Sequence, residues 1–350
     1  MPPAAPKPGV IPLKPLTLGE ILGGAMSTIG RYKGPVFGLT TAVFGAYLVV
    51  VCLAAVVAIS AVSDSFTTLI DTLDQPSGPE PEWETIQPFV VAVVCVAAVA
   101  LIGYVLAVSI VQAALLATLQ EAVLGGPASI GSVWRQALPR VPALIGASIL
   151  TGLIGMIPVL FVLFALVIGL VGASASAAGD SDGAVGAFLV FGVVAALLAV
   201  VPTVWLYVKF SLAPAAVVFE KQGPVGALRR SSRLVRGRWW PVFGISLLAA
   251  LMAGVVAGVI QQILSMIGMF PAMAAASDLG DHPELSEILS VFSVYLVITL
   301  VGQLIGYLIQ TTFPPLVNGL LYVDQRIRNE NLAQVLAESA GLPPQPPGSF

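Results

Sequence analysis

The chain has 350 residues, of which 57% are hydrophobic and only 9% are charged, and its mean hydropathy is +0.98. Soluble domains carry about 25% charged residues, so this composition excludes an ordinary water-soluble protein and predicts an integral membrane protein. The net charge of −3 is uninformative as a total, whereas the distribution of charge along the chain is not. The two cysteines, Cys52 and Cys95, lie in apolar runs and have neither a disulfide framework nor metal-ligand spacing.

Residues 1–16 are rich in proline, and we predict that they form a disordered tail, as do residues 341–350. They are not a secretory signal, because the first apolar run begins only near Pro35 and is longer than a signal peptide allows. Thr17 and Glu20 have the spacing of a capping box, which begins a helix. Apolar residues then recur at helical spacing and predict an amphipathic helix: Leu18, Ile21, Leu22, Ala25 and Ile29.

Six apolar stretches follow, and each is long enough to cross a bilayer as a helix, which needs about 20 residues. The sequence therefore predicts an all-α bundle of about six transmembrane helices in a single membrane domain, residues 17–340. Pro158 lies in the middle of the third stretch and predicts either a kink or a broken, re-entrant helix. The stretches cover residues 35–62, 88–119, 141–172, 184–208, 241–276 and 288–321.

Charge is sorted between the two ends of the predicted helices. The connections after the odd-numbered stretches, residues 63–87, 173–183 and 277–287, contain acidic residues and no Lys or Arg. Every Lys and Arg lies in a terminal segment or in one of the other two connections. Because Lys and Arg accumulate on the cytoplasmic side, we expect a plasma-membrane protein with both termini in the cytoplasm and three acidic external loops.

The chain consists of three weak repeats, each an amphipathic segment followed by two apolar stretches. Residues 31–40, RYKGPVFGLT, match residues 236–245, RGRWWPVFGI, and residues 135–146, RQALPRVPALIG, are a weaker third copy. Two-stretch repeats lie parallel, related by an axis along the membrane normal. An acidic residue follows the second stretch of each copy: Glu121, Glu220 and Asp324.

The amphipathic segment of the third copy is strongly basic. Pro224 suits its first helical position, and Val225, Leu228, Val235 and Trp239 form an apolar stripe that we expect to face the membrane. Each basic residue held near an anionic leaflet contributes about 1 kcal/mol, which predicts an anionic-lipid surface. The alternative is that these charges only fix orientation; nucleic acid is not an expected partner. The surface comprises Lys221, Arg229, Arg230, Arg233, Arg236 and Arg238.

Three segments carry a family resemblance: residues 16–22, LTLGEIL, residues 211–245, SLAPAAVVFEKQGPVGALRRSSRLVRGRWWPVFGI, and residues 320–338, LLYVDQRIRNENLAQVLAE. They resemble the membrane domain of bacterial glycerophosphoryl diester phosphodiesterases. More closely, the chain is similar to uncharacterised actinobacterial membrane proteins that carry this domain alone. In the two-domain relatives the phosphodiesterase chemistry belongs to a separate soluble barrel. Nothing in this chain corresponds to that barrel, so the resemblance implies topology rather than activity.

Residues that could support catalysis are sparse. The single histidine, His282, stands beside Asp281 and Glu284 in a predicted external loop, and Asp180 and Asp182 lie in another. Either group could be a metal or acid–base site, but both are more typical of solvated loops. Zincin and Walker motifs are absent. We therefore expect no catalytic residues, no metal, no cofactor and no enzymatic activity.

The predicted helices contain no ionisable residue away from their ends, unlike most ion-coupled transporters. Their polar residues are amides, which either bond neighbouring helices or line a polar path. We expect a non-enzymatic protein that organises or partners membrane components, such as lipids or unidentified proteins. The alternative is an uncoupled transporter or channel for a small solute. The amides are Gln112, Gln261, Gln262, Gln303, Gln310 and Asn318.

Overall fold

The computed structural model describes residues 9–12, 14–73, 83–177, 182–277 and 285–330. These residues form ten α-helices, a π-helix at Gly34–Gly38 and a 3-10 turn at Leu138–Arg140, and no strand occurs among them. The predicted all-α class is confirmed. The helices are α1 (Leu18–Arg31), α2 (Leu39–Leu73), α3 (Trp83–Leu124), α4 (Ile130–Ala137), α5 (Val141–Ala177), α6 (Asp182–Phe210), α7 (Ala213–Glu220), α8 (Pro224–Val235), α9 (Trp239–Ser277) and α10 (Leu285–Glu330).

Six of these helices, α2, α3, α5, α6, α9 and α10, are long and apolar enough to cross a membrane. The six predicted stretches fall on these helices, the first of them starting in the π-helix. Helices satisfy their backbone hydrogen bonds internally, as the hydrocarbon region of a bilayer demands. The chain is a multi-pass membrane protein.

Helix α5 runs without a break through Pro158, from Val141 to Ala177. A broken or re-entrant third helix is therefore wrong. Proline is tolerated inside membrane helices because neighbouring helices and local adjustments satisfy the carbonyl that it leaves free. Pro202 and Pro271 are likewise internal, in α6 and α9.

The six long helices form three hairpins, α2 with α3, α5 with α6, and α9 with α10, and the closest helix–helix packing lies within them. A short amphipathic helix precedes each hairpin: α1, α4 and α8. The capping box of α1 is present: the Glu20 N–H donates to Thr17 Oγ1 at 3.4 Å, and the Thr17 N–H to Glu20 Oε2 at 2.8 Å. This is the architecture of the predicted two-helix repeats.

The hairpins pack against one another mainly at one end of the bundle. This end, which we call the basic end, carries α1, α4, α7 and α8 and all the described Lys and Arg residues. In α3 every buried residue lies at or after Ala107, and none of the described side chains before it is buried. The basic end therefore holds the three hairpins together.

Residues 9–12 and Leu16 belong to the packed structure, so the disorder predicted for residues 1–16 does not extend to them. The Val10 N–H donates to the Ala122 carbonyl at 3.1 Å, and Ile11 is 0% exposed. The prediction of disorder rested on proline content and did not consider the apolar side chains of this segment, which are buried against the basic end. Residues 1–8 and 341–350 lie outside the described residues.

Gly319 of α10 faces α3 so closely that an added Cβ would lie 2.5 Å from Leu119 Cδ2 and 2.8 Å from Leu116 Cδ2. Overpacking of this kind costs about 1–3 kcal/mol. We expect Gly319→Val to lower the melting temperature of the detergent-solubilised protein by several degrees. The matched control is Gly254→Val in α9, where nothing lies within 4 Å of the added Cβ. Equal melting temperatures for the two variants would contradict the close contact of α3 with α10.

Candidate functional site

Helix α8 carries three of the arginines of the predicted anionic-lipid surface. Its apolar face, which includes Leu228 and Val235, packs on α5, α6, α7 and α10 rather than facing lipid. The prediction that this apolar stripe faces the membrane is therefore wrong. Helical periodicity identifies an apolar face, but it does not identify what covers that face. Val225, placed on that stripe, is instead 58% exposed. It stands on the outer face of α8, one and two turns before Arg229 and Arg233.

Five of the six predicted basic residues remain available to a ligand. Lys221, Arg229, Arg233 and Arg236 are exposed, and Arg238 is partly exposed. None of them pairs with a carboxylate among the residues that the structure describes. These five residues form the exposed basic surface.

Arg230 is a correction to that prediction, because carboxylates of the protein occupy its guanidinium. Its Nε lies 3.1 and 3.0 Å from the two Glu220 carboxylate oxygens, and its Nη2 donates to Glu330 Oε2 at 2.7 Å. Arg326 also pairs with both carboxylates, and the Tyr322 hydroxyl donates to Glu220. Burial works to lower the pKa of Arg230, but hydrogen bonds with Glu220 and Glu330 outweigh it and raise that pKa.

Asp324 of α10 fixes the segment that precedes α1. Its carboxylate is nearly buried, at 4% exposed, and its Oδ1 accepts the Leu16 N–H at 2.8 Å. Arg328 donates from Nε to both carboxylate oxygens at 2.9 Å and from Nη2 to the Leu16 carbonyl at 2.8 Å. Asp324 and Arg328 together thus bind both the backbone N–H and the backbone carbonyl of Leu16.

Glu121, near the end of α3, is the residue of the first repeat that corresponds to Asp324 in the third. Its Oε1 accepts a hydrogen bond from Gln136 Nε2 of α4 at 3.0 Å. Its carbonyl accepts the Gly126 N–H at 2.9 Å, and the Gly126 carbonyl accepts the Tyr32 hydroxyl at 2.8 Å. The connection between the first and second repeats is thereby fixed at both ends.

We call Glu121, Glu220 and Asp324 the acidic ring, because their contacts lead from the first repeat to the second, from the second to the third and from the third back to the first. Glu121 binds the amphipathic helix of the second repeat and Glu220 binds that of the third, whereas Asp324 binds Leu16, two residues before that of the first. Sequence reasoning recognised the three residues as equivalent but assigned them no role. The signal was an acidic residue repeated near the ends of apolar helices, where an unpaired charge is costly.

Three of the six amides converge on one cavity of about 560 Å³: Gln112, Gln310 and Asn318. Gln261 lies against Gly302 in the third hairpin, where an added Cβ would be 3.2 Å from its Oε1. Gln262 and Gln303 are exposed on the surface of that hairpin. The amides therefore divide between helix packing, lipid-facing surface and cavity lining.

The acidic loop residues give no site that can be described. Asp180, Asp281, His282 and Glu284 lie outside the described residues, as does the side chain of Asp182. Among the residues with described positions, no group of three His, Cys, Asp or Glu side chains could hold a metal ion.

Residues 18–317 match the protein family described as Domain of unknown function (DUF7847). The match covers α1 to the last third of α10 and therefore all three repeats. Comparison with curated proteins gives no match, and comparison with solved structures gives none either.

Removing the Asp324 carboxylate should release the N-terminal segment. Asp324→Ala leaves the Leu16 N–H and the Arg328 guanidinium without their acceptor, a loss of about 1–3 kcal/mol. We expect hydrogen exchange of residues 9–17 to accelerate about tenfold or more, as 1.4 kcal/mol implies. Gln136→Ala, which removes the hydrogen bond at Glu121, is the control and should leave this exchange unchanged. Unaltered protection in Asp324→Ala would show that Asp324 does not hold the segment.

Proposed function

The chain belongs to the family described as Domain of unknown function (DUF7847), and we propose that it is a non-enzymatic membrane protein that organises anionic lipid at its basic end. The observation that carries this proposal is the exposed basic surface, whose five side chains have no carboxylate partner among the described residues. On this proposal, the resemblance to the membrane domain of glycerophosphoryl diester phosphodiesterases reflects a shared membrane scaffold. It carries no diesterase activity with it.

Apolar anchors support contact of this surface with lipid. Trp240 is 74% exposed and Val225 is also exposed, and both flank the arginines of α8. Tryptophan concentrates at the headgroup level of membranes, so Trp240 would hold α8 at that depth. Arg229 and Arg233 would then reach the headgroups, where each basic residue gains about 1 kcal/mol from an anionic leaflet.

The ion pair of Arg230 supports lipid binding by its neighbours. Because Glu220 and Glu330 are both committed to Arg230 and Arg326, they do not neutralise Arg229 or Arg233. Arg229 and Arg233 therefore keep an uncompensated field, which reaches about a Debye length, or roughly 8 Å in physiological salt. Phosphate groups suit such side chains, because a planar guanidinium can donate two parallel hydrogen bonds to phosphate oxygens.

The proposed orientation puts the basic end in the cytoplasm of a cell with an anionic inner leaflet, so both termini are cytoplasmic. The described residues support it, because all of their Lys and Arg residues are at that end, whereas Glu84 begins α3 at the other. The positive-inside rule then gives the direction.

The proposal that the protein is not an enzyme rests on the hydrogen bonds of two carboxylates at its basic end. Asp324 and Glu220 already accept hydrogen bonds from arginines. Carboxylates that are paired in this way support the packing of neighbouring helices.

Charge on the outer face of α8 should decide lipid retention. We expect the triple variant Arg229→Gln, Arg233→Gln, Arg236→Gln to lose the excess of anionic over zwitterionic lipid that co-purifies at about 0.15 M salt. The matched control changes the same three residues to Lys, which keeps the charge and should keep the lipid. Mass spectrometry of extracted lipid gives the ratio. If the Gln variant retains as much anionic lipid as the Lys variant, the surface serves only orientation.

Orientation is testable by labelling single cysteines in a chain that carries Cys52→Ser and Cys95→Ser. We expect Asp74→Cys, Asp182→Cys and Asp281→Cys to react with an impermeant maleimide on intact cells. Ser232→Cys, in α8 at the basic end, should react only after permeabilisation. Labelling of Ser232→Cys on intact cells, or protection of any of the other three, would overturn the orientation.

A further inference from the structure

The cavity of about 560 Å³ lies inside the bundle among α3, α5, α6, α7, α9 and α10. Its size falls within the 300–1,000 Å³ of ordinary small-molecule sites, which combine apolar walls with a few polar groups. Among the residues that the structure describes, no charged side chain lines it. Its polar lining comprises Tyr104, Gln112, Ser148, Thr151, Tyr207, Ser211, Gln310, Thr311 and Asn318.

The three repeats build this cavity from equivalent positions. Counted back from the acidic ring, the fifth position contributes Leu116, Ala215 and Gly319, and all three line the cavity. The ninth, tenth and thirteenth positions likewise contribute one lining residue from each repeat. These residues are Gln112, Ser211 and Pro315; Val111, Phe210 and Pro314; and Val108, Tyr207 and Thr311. The cavity therefore lies on the axis that relates the repeats.

The cavity is closed at the basic end and opens toward the middle of the membrane. Its floor is tightly packed: Leu116 is 1% exposed, and an added Cβ at Gly319 would lie 2.8 Å from Leu116 Cδ2. Tyr207 and Tyr104, farther from the acidic ring, are 61% and 42% exposed. With a rise of 1.5 Å per residue, the floor lies about 8 Å from the acidic ring and Tyr104 about 25 Å from it. A ligand would therefore enter from the hydrocarbon region.

Hydrogen bonding in the cavity favours a ligand that donates. Gln112 Oε1 is buried and has no partner among the described residues, which is costly unless a ligand supplies one. The hydroxyls of Thr151, Ser211 and Thr311 already donate to carbonyls of their own helices, at 2.7, 2.8 and 2.7 Å. Their oxygens are left as acceptors.

Asn318 adds one donor to this set. Its Oδ1 accepts the Ser246 hydroxyl at 2.8 Å, and its amide N–H groups remain available to a ligand in the cavity that Asn318 lines. The described lining holds no Lys or Arg, which disfavours a phosphate, and no Asp or Glu, which disfavours a cation, because charges at this depth need a partner. The complementary ligand is uncharged, carries hydroxyl groups and has an apolar body.

We propose that the cavity binds the hydroxyl-bearing head of an uncharged glycerolipid of the mono- or diacylglycerol type, with its acyl chains leading out between the hairpins. The hydroxyl donates to Gln112 Oε1, and Asn318 donates to an ester or hydroxyl oxygen. This site is separate from the exposed basic surface and does not depend on the function proposed for it.

The probe is a diacylglycerol with a photoreactive diazirine and an alkyne in one acyl chain, added to the full-length protein in phosphatidylcholine vesicles. We expect crosslinks to α3, α5 and α10 near the cavity, competed by excess unlabelled diacylglycerol. Phosphatidylglycerol should not compete, and neither should glycerol. Competition by phosphatidylglycerol, by glycerol alone, or crosslinks confined to the outer surface would overturn the proposal.

Two variants connect the crosslinks to the cavity. Gly152→Trp fills it, since Gly152 lines the cavity and nothing lies within 4 Å of its added Cβ. Gly155→Trp, nearly one turn along α5 and equally unobstructed, is the matched control. Gln112→Leu removes one hydrogen bond and should weaken competition by diacylglycerol about fivefold. Gly152→Trp should abolish crosslinking and Gly155→Trp should leave it intact; full crosslinking in Gly152→Trp or an unchanged Gln112→Leu would contradict the assignment.

Discussion

Three carboxylates near the ends of apolar helices govern how the repeats are joined. Glu121 and Glu220 stand in the last turns of α3 and α7, where the helix dipole already places negative charge. A carboxylate in such a position is unfavourable unless hydrogen-bond donors stabilise it, and here donors come from the next repeat. The amphipathic helix of the next repeat thus supplies hydrogen bonds that these two carboxylates need.

This arrangement explains where the bundle is rigid. The hairpins share few buried residues beyond the basic end, so lipid rather than protein would surround much of their length. Polar contacts at the membrane surface set the angles between hairpins, and small residues such as Gly319 then allow close approach of α3 and α10. The cavity lies beside this close contact, and Leu116 and Gly319 are among the residues that line it.

Hydropathy was sufficient to locate the six long helices, because a lipid solvent leaves a hydrophobic chain little alternative to helix. The capping box at Thr17 was equally local and is present. The separate helix α7 was not predicted. The helix is interrupted at Ser211 and Leu212, and Pro214 lies in the first turn of α7. Hydropathy does not register such an interruption.

Long-range partners account for the remaining errors. Arg230 was assigned to lipid because its nearest carboxylate in sequence, Glu220, is single, whereas Glu330 lies 100 residues away. The segment around Val10 and Ile11 was predicted to be disordered from its proline content. Its contacts are with α3 and α10, which are distant in sequence. Periodicity gave the polar and apolar faces of α8, but the identity of each face's partner is a property of the assembled bundle.

The hydrogen bond between Leu16 and Asp324 also constrains the timing of biogenesis. These residues are separated by 308 positions, and at about 5–20 residues per second the ribosome takes roughly 15–60 s to pass from one to the other. During that interval α3, which carries the Ala122 acceptor of Val10, has already been made, whereas the acceptor of the Leu16 N–H has not. The contact between Leu16 and Asp324 can therefore form only after α10 has been made, near the end of synthesis.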